Sequence, residues 1–261
     1  MIRENKVKKK IKRHEPVIGS FVKSFDPSSV EIFGLAGFDF FVLDNEHVAM
    51  DKEQVTNIIR ASDITGIVPI IRIRENTAVE ILQALDSGAL GVQIPNVNTF
   101  EGAKSAVENS RYCPYGNRGY APTHRAAGYG LMDKFEYIKM ANDEVMTVIH
   151  CESLEAVKNL DLMLTIENLD VVFIGPSDLS HSMGTDVMGK SNHPMLLQTI
   201  EEIIVKVVRS GKSVGIPVSS MEQIHEFITK GVTYITISSD FGMICDQSKK
   251  IIDNFAKLIR S

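Results

Sequence analysis

The stretch Val171–Gly184, VVFIGPSDLSHSMG, changes character at its middle. It opens on an apolar run of the kind a strand covered on both faces needs. Gly175-Pro176 interrupts the run. Glycine suits a tight turn, and proline suits the first turn of a helix. Asp178 is the one acid, and small polar residues follow. The stretch therefore reads as a strand, a turn and a helix start, with a carboxylate where the strand ends. That carboxylate can be a helix cap or a metal ligand at the mouth of a barrel.

The same strand-then-helix unit recurs along the chain. Strand-like runs lie at 17–22, 40–47, 68–74, 91–96, 146–152, 169–178, 213–220 and 234–240. Between them, segments such as DPSSVEIFGLAG, NTAVEILQALDSGA, HPMLLQTIEEIIVKVVRSG and MEQIHEFITKG carry helix starts and glycine stops. Eight β-then-α units in a chain of 261 residues match a (β/α)8 TIM barrel. A doubly wound open sheet would need a dinucleotide or phosphate loop after the first strand. That position reads GSFVKSFDPSS and has neither pattern.

Composition narrows the class. The chain is 44% hydrophobic and 23% charged, with 28 basic and 33 acidic residues and a net charge of −5. Such a chain has no general attraction for nucleic acid or anionic membrane. Its three cysteines, Cys113, Cys151 and Cys245, form no CxxC pair and suit a reducing cytoplasm rather than a disulfide framework. No run is long enough to span a membrane, and the charged N-terminus is not a secretory signal. Residues 1–15 read as a basic, solvated leader, and residues 16–261 as a single barrel domain. The Gly-, Tyr- and Arg-rich segment at about 111–144 reads as a long functional loop, expected on the face where barrel enzymes work.

In a barrel, the C-terminal ends of the strands converge on one site. Here those ends carry Asp44, Glu46 and His47, then Arg72 and Arg74, then His150 and Glu152, then Asp178, and finally Asp240. A Glu and an Asp on consecutive strands can hold a hard divalent cation through oxygen. A histidine can move a proton near neutral pH, and an arginine can meet an enolate oxygen. Taken singly, Glu152 and Asp178 can also cap the helices that follow, and Arg72 can simply pair with a carboxylate. No strand run has a lysine inside it, which argues against Schiff-base chemistry.

The pieces LDNEH, IIRIRE, LDSGALGVQIP, RYCPYGNRG, HCES and FIGPSDLSHSMG, in that order, resemble the HpcH/HpaI family of class II pyruvate aldolases, in the phosphoenolpyruvate/pyruvate barrel superfamily. The resemblance covers nearly the whole chain. It implies a metal-dependent aldolase that cleaves or forms 4-hydroxy-2-oxo acids, giving pyruvate and an aldehyde with Mg²⁺, Mn²⁺ or Co²⁺. It implies that His47 moves a proton through a metal-bound water, with Asp44 beside it, and that Arg72 contacts the ketone or enolate oxygen. Glu152 and Asp178 would be the metal ligands. The Gly175 turn and the backbone N–H groups of Ser177 and Asp178 would take the pyruvate carboxylate. Asp86 would pair with the histidine, from a neighbouring subunit, in a hexamer that exchanges C-terminal helices. The family commonly has Gln two residues before the metal-binding Glu, and this chain has His150 there. His150 can replace the hydrogen bonds of that Gln, bind metal, or alter substrate choice. A CoA-thioester lyase of the same superfamily, with Arg118 and Arg125 as nucleotide contacts, and a non-catalytic barrel are the alternatives.

Overall fold

Each of the eight apolar runs forms a strand: β1 Val17–Val22, β2 Phe40–Asp44, β3 Val68–Arg72, β4 Gly91–Ile94, β5 Met146–Cys151, β6 Val171–Ile174, β7 Ser213–Val218 and β8 Tyr234–Ser239. The computed structural model describes residues 1–259, so the last two positions of the expected barrel domain lie outside the described residues. The strands are parallel and close into a ring in chain order, β1 beside both β2 and β8. The helices are α1 Lys6–Lys12, α2 Ser28–Ala36, α3 Lys52–Thr65, α4 Ala78–Asp86, α5 Phe100–Ser110, α6 Lys134–Glu144, α7 Leu154–Met163, α8 Pro176–Ser182, α9 Pro194–Arg209, α10 Met221–Thr229 and α11 Asp240–Leu258. This is the (β/α)8 barrel expected from the alternation.

Local chemistry sets the boundaries. The side chains of Thr77, Thr99, Ser153 and Ser220 cap α4, α5, α7 and α10, and Gly37 and Gly66 end α2 and α3 in the left-handed conformation. Several strands stop short of the polar residues that end the runs, and those residues begin the links to the next helices. Inside the ring, Phe40 stacks on Tyr234 at 4.3 Å. A side chain at Gly19 would collide with the Phe40 ring, and one at Gly215 with Phe173 and Tyr234. Glycines on β1 and β7 thus make room for the large rings that fill the barrel.

Two expectations change. The basic leader is only partly solvated. Asn5 caps α1 and donates its Nδ2 to the carbonyls of Leu90 and Glu144, 3.0 Å each. Val7 and Ile11, one helical turn apart, are buried beneath the barrel, as is Lys8, whose Nζ reaches the Val145 carbonyl at 2.6 Å. The positive charge of the segment masked this short apolar face.

The segment at 111–144 does not lie on the face of strand C-terminal ends. It joins a helix, α5, to a strand, β5, so it must cross the opposite, N-terminal face. There Arg118 bonds Asp86 (2.7 Å), Arg125 bonds the Ser87 carbonyl (3.0 Å) and pairs with Asp63, and the Ala126 carbonyl accepts from the Ile2 N–H (2.9 Å). The last part of the segment is helical, as α6.

α11 is 19 residues long, and only Asp240 in it is buried. Ile244, Ile251, Ile252, Phe255 and Leu258 are all exposed on it. Ile32 and Leu35 of α2 are also open to solvent. The residues on α11 form an exposed apolar stripe along one long amphipathic helix.

Candidate functional site

The strand C-terminal ends enclose a cavity of ≈ 440 Å³. Glu152 follows β5 and sits at the edge of this cavity, 7% exposed. One carboxylate oxygen accepts the Asn96 N–H at 2.7 Å, and the other meets His150 Nδ1 at 2.8 Å. Burial alone would raise its pKa. The hydrogen bond from His150, the Asn96 N–H and Arg72 outweigh burial and hold it below the usual range. Asn96 makes its contact from the left-handed region, with φ 56°, an uncommon conformation that aims its N–H at the carboxylate. A Cβ on Gly175 would stand 2.7 Å from Glu152 Oε2, so only glycine fits at that turn.

Neither cap reading survives. Ser153 caps α7 in place of Glu152. Gly175 occupies the N-cap of α8, where no side-chain cap forms, and Asp178 lies within the first turn. Asp178 is exposed to the cavity and has no hydrogen-bond or ion-pair partner among the described residues. The N–H groups of Ser177 and Asp178 are first-turn donors, which have no carbonyl one turn back to take them.

His150 is tied at both ring nitrogens. Its Nε2 lies 2.8 Å from Gln93 Nε2, and Gln93 Oε1 accepts from the Tyr234 hydroxyl at 3.2 Å. Because Tyr234 occupies the Gln93 oxygen, the Gln93 amide donates to His150 Nε2. The imidazole then gives its Nδ1–H to Glu152. A relay Tyr234–Gln93–His150–Glu152 runs from the barrel interior to its mouth, and neither His150 nitrogen is left for a metal.

A second cluster lies on β2 and β3. Asp44 is fully buried. Arg72 grips it through Nε (3.1 Å) and Nη2 (2.7 Å), and the His47 N–H donates to it at 3.2 Å. Burial pushes its pKa up, but Arg72, the His47 N–H and Lys23 bring it below its ordinary value. Glu46 stands 3.3 Å from Arg72 Nη1 and 3.4 Å from His47 Nε2, and burial raises its carboxyl. The Arg72 guanidinium lies over the Phe21 ring at 4.8 Å.

Asp44, His47, Arg72, His150, Glu152, Gly175, Ser177 and Asp178 thus meet at one mouth. Three other candidates do not. Asp86, at the lower end of α4, bonds Arg118, lies 3.6 Å from His124, and among the described residues has no bond to His47. It faces a larger groove of ≈ 630 Å³ outside the ring, between α3 and α4. Arg74 turns outward to Glu80. Asp240 accepts the N–H groups of Lys23 and Ser24, 2.9 Å each, and so pins the end of β1. The sequence reading missed Lys23, which lies one residue beyond β1 and lines the cavity. Its spacing of two from Phe21 was the available signal. Gln93 stood out only as a polar residue in an apolar run, and Tyr234 gave no signal at all.

The profile of the HpcH/HpaI aldolase/citrate lyase family matches residues 17–246. The chain belongs to that family. It is 32% identical over 242 residues to the 2-dehydro-3,6-dideoxy-6-sulfogluconate aldolase of Pseudomonas putida, with 93% of each chain covered. It is 33% identical over 253 residues to the 5-keto-4-deoxy-D-glucarate aldolase of Salmonella paratyphi C, with 97% of each covered. The structure of an HpcH/HpaI aldolase/citrate lyase family protein from Burkholderia cenocepacia matches with a TM-score of 0.90 at 26% identity, over 98% of this chain and 100% of that one. Every strand-end residue described above falls within the HpcH/HpaI match, whereas α1 and the second half of α11 lie outside it. No described helix is long and apolar enough to cross a membrane.

Proposed function

We propose that this chain is a divalent-metal-dependent aldolase, a carbon–carbon lyase that cleaves 4-hydroxy-2-oxo acids to pyruvate and an aldehyde or joins them in reverse. The observation that carries the reading is the pair of carboxylates Glu152 and Asp178, one strand apart, at the mouth that holds Arg72 and His47. The pair suits a hard cation. The neighbours of Glu152 hold its pKa below the usual range, and Asp178 faces the cavity without a partner among the described residues. Two oxygen ligands with open positions beside them favour Mg²⁺, Mn²⁺ or Co²⁺ over a structural zinc. When bound, the ion would supply Lewis-acid polarisation of the 2-oxo acid.

The remaining work falls to the chain. The N–H groups of Ser177 and Asp178 take the substrate carboxylate. Arg72, locked by Asp44, turns positive charge toward the 2-oxo oxygen, where negative charge develops as C3–C4 breaks. His47 takes the 4-hydroxyl proton. The C3–C4 electron pair passes into the pyruvate enolate, the aldehyde departs, and a proton returned to C3 gives pyruvate. His150 holds Glu152 in place. The bare stripe of α11 packs on a second copy, within a hexamer in which Asp86 serves the His47 of a neighbouring copy. The three free thiols suit the cytoplasm. The aldolase reading fits better than the thioester alternative, whose nucleotide contacts, Arg118 and Arg125, are buried and paired inside the chain.

The test is pyruvate release, coupled to lactate dehydrogenase, from a panel of 4-hydroxy-2-oxo acids with Mg²⁺, Mn²⁺ or Co²⁺ and with EDTA. Metal-dependent release is expected, falling at least ~100-fold in Glu152→Ala and Asp178→Ala. No pyruvate from any substrate would overturn the reading. So would EDTA-resistant release that leaves a borohydride-trapped pyruvate adduct on Lys23, since that is Schiff-base chemistry.

A further inference from the structure

Lys23 has no task in the steps above, yet its position is built with care. The Asp240 carboxylate fixes the main chain at its base through the Lys23 and Ser24 N–H groups. Its side chain is one-third exposed, and it lines the mouth with Phe21, Pro217, Ser238 and Ser239. Ser238 is held there in the left-handed region, at φ 56°. The only ion pair of Lys23 among the described residues is with Asp44, at 3.4 Å. That carboxylate is already neutralised by the two-pronged grip of Arg72. Lys23 is therefore a second cation on a carboxylate that needs only one, and its side chain lines the cavity.

The ring geometry says what lies in front of it. In a closed ring of eight strands, β1 is four places from β5 in either direction. The carboxylates that would hold the 2-oxo acid head follow β5 and β6. Lys23 follows β1, across the mouth from them, on the side toward which the tail of a bound 4-hydroxy-2-oxo acid would extend. The wall beside it mixes apolar surface, from Phe21 and Pro217, with the hydroxyls of Ser238 and Ser239. This arrangement suits a short carbon chain that ends in a charged group.

We infer that Lys23 is the specificity-determining residue for the aldehyde half: it pairs with an anionic group, a carboxylate, sulfonate or phosphate, at the far end of the substrate. The inference rests on the aldolase reading. A terminal anion is attracted to the Lys23 ammonium, while a neutral end of the same shape gains nothing from it. The discrimination lies in the binding of the tail, apart from the groups that break the bond.

The test uses pairs of 4-hydroxy-2-oxo acids of equal length, one ending in a carboxylate and the other in a carboxamide. The measured quantity is the ratio of their kcat/KM values. The wild-type enzyme is expected to prefer the carboxylate by about tenfold or more, the scale of one charge pair in a partly desolvated site. In Lys23→Gln the ratio is expected to fall to within about twofold of unity, and in Lys23→Arg to stay close to wild type. Substrates ending in sulfonate or phosphate, run alongside, identify the anion preferred. A wild-type ratio near unity, or a ratio that Lys23→Gln leaves unchanged, would overturn the assignment. Wild-type exchange of pyruvate methyl protons into deuterium oxide with Mn²⁺ separates the two levels. Exchange without anion preference sinks the role of Lys23 alone, and absence of both exchange and cleavage sinks the aldolase reading.

Discussion

Replacing His150 by phenylalanine isolates the relay behind Glu152. Phenylalanine keeps an aromatic ring in the slot, and with it the packing on Phe173, whose centroid lies 5.1 Å away. It can neither donate to Glu152 nor accept from Gln93. Two groups then lose a partner, the fully buried Gln93 amide and the Glu152 carboxylate oxygen. An unsatisfied buried polar group costs about 1–3 kcal/mol, and a charged one more. Gln93 keeps its bond from Tyr234, and Glu152 keeps the Asn96 N–H and sits near the water of the mouth, so part of each loss is recovered. The expected destabilisation is about 2–4 kcal/mol for His150→Phe, and about 1 kcal/mol for His150→Gln, which can still donate and accept. The assay is urea unfolding followed by circular dichroism, at one protein concentration and in EDTA, so that neither assembly nor metal binding shifts the midpoint unequally. A phenylalanine variant within about 0.5 kcal/mol of wild type, at unchanged m-value, would refute the relay.

Three further outcomes are expected. Lys8 is buried, and desolvation lowers its pKa to about 8 from an ordinary 10.5, with Asp170 only partly opposing the shift. Between those two values the unfolded chain binds more protons than the folded one, so stability should rise with pH across that window, by roughly 3 kcal/mol at most. The slope should disappear in Lys8→Met, and parallel urea-unfolding curves from pH 7.5 to 10 in the two proteins would contradict this. Arg72→Lys loses the planar fork that grips both Asp44 oxygens, so kcat should fall at least ~100-fold with the circular dichroism spectrum preserved; near-normal kcat would remove Arg72 from the chemistry. Ile252→Glu with Phe255→Glu places charge on the exposed stripe of α11, and sedimentation velocity should register a smaller particle than wild type. An unchanged sedimentation coefficient would mean that α11 builds no interface.

The sequence alone determined what depends on neighbours along the chain. Eight apolar runs of strand length, with helix starts such as Thr77, Thr99 and Ser153 and glycine stops such as Gly37 and Gly66 between them, set the barrel. The same periodicity put Asp44, Arg72, Glu152 and Asp178 at strand ends, and barrel closure brings strand ends together. The connection at 111–144 was expected on the C-terminal face as if it followed a strand, but it follows α5 and leads into β5, and a helix-to-strand link belongs to the N-terminal face. Tertiary structure decided which polar groups meet. His150 and Gln93 are 57 residues apart in sequence, and only the register of β4 against β5 brings them to 2.8 Å. Lys23 reaches Asp44 because β1 pairs with β2, and Asp240 pins Lys23 because the ring closes β8 onto β1. Asp178 is separated from its cap reading by the Gly175 turn, whose missing side chain leaves room for Glu152. Local pattern fixes the period and end of each element, whereas a hydrogen bond between strands depends on register and closure, which no local stretch encodes.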